Sequence, residues 1–295
     1  MGAVDKKSLS KPTWLKIRPQ FDEVYREVKD LVSEMGLHTV CQEAACPNVG
    51  ECYSARTATF IILGDTCTRS CRFCDVKKGS PAGFDFDEPT RVAEACEKLN
   101  MRFAVITSVT RDDLPDGGAA IFAETTRSIK SMIPSCGVEL LIPDLTGNID
   151  ALEIILDSGP DVLAHNIETV PRIYSRVRPG ADYDRTLNIL KSTADLRNDI
   201  IVKSGIMVGL GETRDEVLEV IENAAHHSCQ IMTIGQYLRP SKWHLPVEKY
   251  YTPEEFKILK EEGETLGMKY IEAGPLVRSS YMAHRQLALY RNKIG

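Results

Sequence analysis

At 295 residues and 32.8 kDa the chain is long enough for one large domain or two modest ones with a full core, which excludes a disordered segment or a disulfide-held miniprotein. Its 36 basic and 42 acidic side chains leave a formal charge of −6, so there is no general basic surface for nucleic acid. Hydrophobic content of 43% is ordinary for a globule, and no apolar run approaches the ~20 residues of a membrane span. The opening stretch, MGAVDKKSLSKPTWLKIRPQ, lacks the apolar core of an export signal, so a reducing compartment is expected, the cytoplasm or an organelle, with no membrane partner.

Residues 1–55 read as an N-terminal extension with no core of its own: a polar arm, a helix over 21–33 and a cysteine-rich loop. The helix shows apolar residues at Phe21, Val24, Val28, Leu31 and Val32. From Thr59 short apolar runs alternate with helical segments: TFIILG (59–64), FAVITS (103–108), VELLIP (138–143), DVLAHNI (161–167), IIVKSGIMVG (200–209) and QIMTIGQYL (230–238). Six such units predict an α/β fold, a partial TIM-like (βα)6 barrel over residues 56–240, because parallel strands covered on both faces are short and apolar throughout. TRVAEACEKLN (90–100) is expected as a helix N-capped by Thr90 after Pro89, and RDEVLEVIENAAHH (214–227) as another. Residues 241–295 form a C-terminal extension containing RSSY at 278–281. Chemistry in βα barrels sits at the C-terminal ends of the strands. Thr107 and Ser108, and Asn166 and Glu168, occupy such ends, Lys203 lies within the fifth strand, and together they are placed to surround one ligand.

Six of the nine cysteines fall within 34 residues, as two triads, Cys41/Cys46/Cys52 and Cys67/Cys71/Cys74. Disulfides belong to oxidising compartments and small loop-rich chains, which this is not. A soft thiolate cage suits zinc or iron–sulfur, but structural zinc closes its tetrahedron with four ligands in paired knuckles, and each triad lacks a local fourth. Three thiolates on a four-iron cube leave one iron open to a small molecule.

The second triad, in TCTRSCRFCDV after the first apolar run, closely resembles the cluster loop of the radical S-adenosylmethionine (SAM) superfamily, Phe73 before the last cysteine included. Together with the upstream triad and RSSY, it resembles the lipoyl synthase family. TSVTRDDLPDGGA (107–119), AHNIETV (164–170), RVRPGADY (176–183), KSGIMVGLGET (203–213) and GQYLRPS (235–241) extend the likeness along nearly the whole chain. The resemblance implies two 4Fe–4S clusters, one on Cys67, Cys71 and Cys74 that binds and cleaves SAM, and a sacrificial one on Cys41, Cys46, Cys52 and Ser280, with Ser279 the fallback ligand and Arg278 supplying positive charge beside that oxygen. SAM contacts are implied for Phe73, Asn166, Glu168, Lys203, Arg178 and Met207, with Thr107 and Ser108 alongside. The implied reaction inserts two sulfur atoms at C6 and C8 of an octanoyl chain on a carrier-domain lysine, of a 2-oxoacid dehydrogenase E2 subunit or a glycine cleavage H protein. Two SAM molecules are consumed and the auxiliary cluster donates the sulfur. No side chain acts as general base, since hydrogen leaves as an atom. A ferredoxin or flavodoxin electron donor and an iron–sulfur assembly carrier are implied as further partners. The rival readings are another radical SAM enzyme with an auxiliary cluster and a non-catalytic iron–sulfur module.

Gly205, Gly209 and Gly211 fit neither the dinucleotide fingerprint nor a Walker loop, and read as close packing of backbone near a ligand. Cys96, Cys136 and Cys229 are expected as small core hydrophobes. His226 and His227 are expected as surface or core residues, and His165 stands at a strand end without an assigned role. Lys6, Lys7, Lys11, Lys16 and Arg18 outweigh Asp5 in the polar arm, solvated charge or a dock for an acidic carrier domain.

Overall fold

The computed structural model describes residues 9–17, 21–44 and 46–294. Helix α1 (Glu23–Glu34) starts where Asp22 accepts the Tyr25 N–H, and its apolar stripe buries Val28 and Val32. The chain then forms β1 (His38–Thr39), α2 (Val40–Glu43) and α3 (Val49–Ser54) before the first barrel strand, β2 (Thr59–Ile62). Val28, Val32, Cys41 and Tyr53 share one core with Phe60, Ile62 and Ile106, so the N-terminal extension is packed onto the barrel wall.

Beyond β2 a two-residue parallel ribbon, β3 (Thr66–Cys67) with β4 (Lys77–Lys78), brackets the second cysteine loop. There follow α4 (Glu88–Lys98), β5 (Phe103–Ser108), α5 (Ala119–Met132), β6 (Gly137–Leu141), α6 (Ile149–Asp157), β7 (Val162–Ala164), α7 (Tyr174–Val177), α8 (Tyr183–Leu196), β8 (Ile201–Val208), α9 (Arg214–His226), β9 (Ile231–Gln236), α10 (Pro253–Thr265), β10 (Tyr270–Gly274) and α11 (Ala283–Ile294). The main sheet runs β1-β2-β5-β6-β7-β8-β9-β10, with β1 antiparallel and the rest parallel. All six expected strands are present, giving the partial (βα)6 barrel, and the C-terminal extension adds a seventh parallel strand, β10, at its edge. Its sequence, YIEAG, has no apolar run to announce it; it is held by pairing with β9 from Tyr270↔Ile231 to Gly274↔Gly235.

Helix α4 begins at Glu88, and Thr90 lies inside its first turn instead of capping it. Pro89 tolerates that turn because its missing N–H would be unpaired there anyway, and the buried Glu88 carboxylate turns inward to accept the Leu63 N–H at 2.7 Å. At the opposite end of the barrel, Leu287 and Tyr290 of α11 pack on Val162, Ile231 and Tyr270, with Phe103 and Ile201 beside them. These five are the first residues of their strands, so α11 plugs the N-terminal mouth and leaves the C-terminal one for chemistry. No helix among the described residues is long and apolar enough to cross a membrane.

Candidate metal and cofactor site

The loop after β2 leaves through Leu63 and Gly64, both at positive φ, and is held on several sides. Thr68 N donates to Thr110 O, Arg72 N to Val177 O, Leu245 N to Arg72 O, and Gly79 N to Cys67 O, at 2.9–3.2 Å. Arg69, buried, bridges Asp112 and Asp144 at 2.7–2.8 Å. Burial opposes charge on Asp144, but the Arg69 hydrogen bond and charge prevail and hold its carboxyl at about 2. A loop this well anchored presents Cys67, Cys71 and Cys74 without needing a metal to shape it.

The first triad sits on two short helices, Cys41 in α2 and Cys52 in α3, with Cys46 between them, its N–H donating to Cys41 O at 3.2 Å. Asn48 Nδ2 donates to Leu276 O at 2.8 Å and Tyr281 Oη donates to the Glu51 carboxylate at 3.0 Å. These two bonds lay the RSSY segment over the triad. Arg278 lies with Cys46 and Glu168 within electrostatic reach; burial pulls its pKa down against both.

Both triads, Ser279, Ser280, Phe73, Thr107, Ser108, Asn166, Glu168, Arg178 and Met207 line one cavity of about 560 Å³ at the C-terminal mouth of the barrel. All six thiols are free, and among the described residues no three Cys, His, Asp or Glu side chains gather on a single metal ion. Burial above all, with the neighbouring thiols adding to it, pushes Cys41, Cys52 and Cys74 up to about 12, and burial raises Cys46 and Cys71, so thiolates here need a cationic centre beside them, which iron supplies. Three buried polar atoms of the wall lack partners: Ser108 Oγ, Asn166 Oδ1 and Arg178 Nε. Such orphans cost free energy unless a ligand answers them, and a polar cofactor with donors and acceptors would. The donor set therefore fits two thiolate-bound clusters and SAM.

Glu168, at φ +71°, has its carboxyl raised by burial against the nearby charge of Arg178 and the hydrogen bond from Asn166. Arg178 Nη1 donates to Asn166 O at 2.8 Å and to Tyr174 Oη at 2.7 Å. Gly205 lies where a Cβ would come within 2.5 Å of Thr233 Oγ1 and 2.9 Å of Asn166 Oδ1, the close packing expected of that segment.

Lys203 is the correction. It is 1% exposed and donates from Nζ to both oxygens of Glu139 at 2.8 and 2.9 Å, across β7. On its strand it shares a face with Gly205, and Glu139 shares one with Leu141; both neighbours line the cavity, so the ion pair lies inside the barrel beneath it. A buried carboxylate holds the amine that the family resemblance had offered to SAM. His165 also turns away: its Nδ1 donates to Ile142 O at 2.8 Å and its Nε2 accepts from Thr186 Oγ1 of α8 at 3.2 Å. Cys96, Cys136 and Cys229 are buried. Sequence reasoning missed His244, whose Nε2 reaches Cys74 O at 3.0 Å, and Asn48; neither lies in a spacing that betrays a partner so far along the chain. Lys6, Lys7 and Arg18 of the basic arm lie outside the described residues; Lys11 lines the cavity.

The family model of the radical SAM superfamily matches residues 61–224. The lipoyl synthase of Koribacter versatilis is 52% identical over 281 residues, covering 95% of this chain and 92% of that protein. The lipoyl synthase of Caldanaerobacter subterraneus subsp. tengcongensis is 54% identical over 284 residues, 96% of this chain and 99% of that one. Among solved structures, methylornithine synthase superposes with a TM-score of 0.54 at 13% identity, over 85% of this chain and 75% of that one. The hydrogenase maturase HydG gives 0.55 at 14%, over 90% and 74%. At these identities the structural likeness is one of fold.

Proposed function

The chain belongs to the radical SAM superfamily and within it to the lipoyl synthases, and from that membership we propose how its side chains divide the work. The protein is a sulfurtransferase that inserts two sulfur atoms, at C6 and C8, into an octanoyl chain borne by a lipoyl carrier. When bound, the SAM-binding cluster and SAM supply a hydrogen-abstracting 5′-deoxyadenosyl radical by one-electron chemistry, and the auxiliary cluster supplies sulfur.

Cys67, Cys71 and Cys74 hold the first cluster and leave one iron to SAM; Cys41, Cys46, Cys52 and Ser280 hold the second. Ser280 is preferred to Ser279 because the Ser279 hydroxyl already accepts from Asn166 Nδ2, at 3.2 Å, whereas no side-chain hydrogen bond engages Ser280 among the described residues. The unpaired Asn166 Oδ1 and the Glu168 carboxylate are two acceptors side by side, suited to the ammonium or ribose hydroxyls of SAM. Arg178 Nε and Ser108 Oγ offer unpaired polar atoms to the same ligand, and Phe73 and Met207 give an apolar wall for its adenine. Thr107 is left a structural part, since its hydroxyl donates to Leu141 O at 2.8 Å. No side chain is asked to move a proton. The RSSY segment, tied down at Asn48 and Glu51, excludes water from the radical.

The observation that carries this assignment is that both triads and Ser280 line one cavity with the orphaned polar atoms. Residues 1–55, 56–240 and 241–295 then serve as auxiliary-cluster extension, barrel and closing tail. The carrier is a lipoyl domain of a 2-oxoacid dehydrogenase E2 subunit or a glycine cleavage H protein, a ferredoxin or flavodoxin delivers the electron, and an assembly carrier rebuilds the spent cluster. Iron, sulfide and EPR after anaerobic reconstitution test the assignment. About eight irons are expected per chain, with about four surviving when either triad is replaced by alanine. Loss of all iron from either variant overturns the two-site assignment.

A further inference from the structure

Arg239–Leu245 lies along the second cysteine loop and ends it with an aromatic in open solvent. Trp243 is 85% exposed, the most exposed of the large apolar side chains described. It is not the tip of a slack loop. Trp243 N donates to Ser241 Oγ at 3.3 Å, and Ser241 Oγ meets His244 Nδ1 at 3.0 Å. His244 Nε2 meets Cys74 O at 3.0 Å; a carbonyl can only accept, so the ring proton is on Nε2 and Nδ1 accepts from Ser241. Arg239 further donates to His244 O at 2.9 Å and to Lys242 O, and Leu245 N reaches Arg72 O at 3.2 Å. A chain of hydrogen bonds thus runs from the Trp243 backbone to the backbone of a cluster ligand.

The surroundings are basic on a protein that is acidic overall. Segments 71–79 and 239–245 contain Arg72, Lys77, Lys78, Arg239 and Lys242, five cations against one carboxylate, Asp75. Lys242 Nζ stands 5.2 Å from the Trp243 ring centroid. Lys77 is paired with Asp65 at 3.2 Å, and Asp75 lies 3.8 Å from His244; Arg72, Lys78, Arg239 and Lys242 have no ion pair among the described residues. A rigid exposed tryptophan with the unpaired Lys242 against its ring and the exposed, unpaired Arg72 on the loop it is hydrogen-bonded to has the make-up of a binding hot spot for an acidic protein surface.

We propose that Trp243, Lys242 and Arg72 form the docking face for an acidic one-electron carrier protein, which reduces the centre held by Cys67, Cys71 and Cys74 across the His244–Cys74 contact. The inference rests on the assignment of that triad to the SAM-binding cluster. One electron passes per encounter: the partner's centre is oxidised by one electron and the cysteine-bound centre is reduced by one. An acidic lipoyl carrier suits the charge as well, but the face is joined by hydrogen bonds to a ligand of the electron-accepting centre, which a carrier of an acyl chain does not require.

The test uses the reconstituted full-length enzyme and first measures flavodoxin binding directly by titration calorimetry. Trp243→Ala and Lys242→Glu are expected to weaken that affinity about tenfold or more, and unchanged affinity overturns the proposal. It then follows 5′-deoxyadenosine formation driven by reduced flavodoxin or by dithionite. Trp243→Ala and Lys242→Glu are expected to slow the flavodoxin-driven rate about tenfold or more at low salt, with the dithionite-driven rate unchanged. Raising the ionic strength slows the wild type towards the Lys242→Glu variant. Equal loss with both reductants, an unaffected flavodoxin rate, or a raised KM for octanoylated carrier with normal reduction overturns the proposal. Failure of the wild type with dithionite strikes the cluster assignment itself, and so is separable from failure of the dock.

Discussion

Asn166 stands between two parts of the molecule: its Nδ2 donates to Glu168 Oε1 at 3.0 Å and to Ser279 Oγ at 3.2 Å. One side chain at the end of a barrel strand therefore touches both the carboxylate offered to SAM and the tail that covers the auxiliary triad. The two serines should separate cleanly. Ser280→Ala is expected to lose about four irons and all thiolated product while still cleaving SAM, whereas Ser279→Ala keeps about eight and binds SAM about two- to tenfold more weakly, the worth of one hydrogen bond. Iron analysis and equilibrium dialysis of SAM decide it; the opposite pattern makes Ser279 the ligand.

Gly235 faces the same tail from below. A Cβ there would stand 2.2 Å from Val277 O, and backbone cannot yield as a side-chain end can. Gly235→Ala should lift the tail, lowering iron towards four per chain and abolishing sulfur insertion, with SAM cleavage kept. Protease cutting near residues 275–282, absent in the wild type, is the structural readout.

Lys203 and Glu139 predict a stability effect and not a SAM effect. Lys203→Met strands a buried carboxylate and should cost about 3–5 kcal/mol in urea unfolding, while Lys203→Met with Glu139→Leu recovers most of it. Burial raises the Glu139 carboxyl above its unfolded value, so the folded state binds the extra proton and the single variant's loss should grow as pH rises from about the ordinary carboxylate range. A SAM affinity that collapses in the stable double variant would return Lys203 to the cofactor.

His165 sets an acid limit. Burial, helped by the charge of Arg178, lowers it to about 4 from 6.5, so the folded state excludes a proton that the unfolded chain takes up. Stability is full above pH 6.5 and falls by about 3 kcal/mol as pH drops to about 4, from the linkage of that shift. His165→Asn should flatten the slope in that window in denaturant titrations.

Legibility followed the range over which a signal acts. The six strands and α9 were legible because apolar runs and apolar residues at helical spacing are local signals. The cysteine triads were legible because spacing within a loop constrains what the thiols can share. β10, the Glu139 partner of Lys203 and the His244 bond to Cys74 were not, since each depends on an element met far along the chain. Lys203 shows the error in one residue: strand position told its depth in the barrel, while the carboxylate waiting across β7 decided its use.

The bonds that lay the tail over the first triad join residues 228 and 230 positions apart, Asn48 with Leu276 and Tyr281 with Glu51. On the ribosome, the three N-terminal cysteines of that triad emerge long before the segment that covers them, whereas the loop around Cys67 needs its last partner at Leu245. The two centres therefore become complete in a fixed order during synthesis. The auxiliary one stays uncovered until the segment around Leu276 and Tyr281 is made, so a nascent protein arrested before residue 276 would carry that triad without its cover.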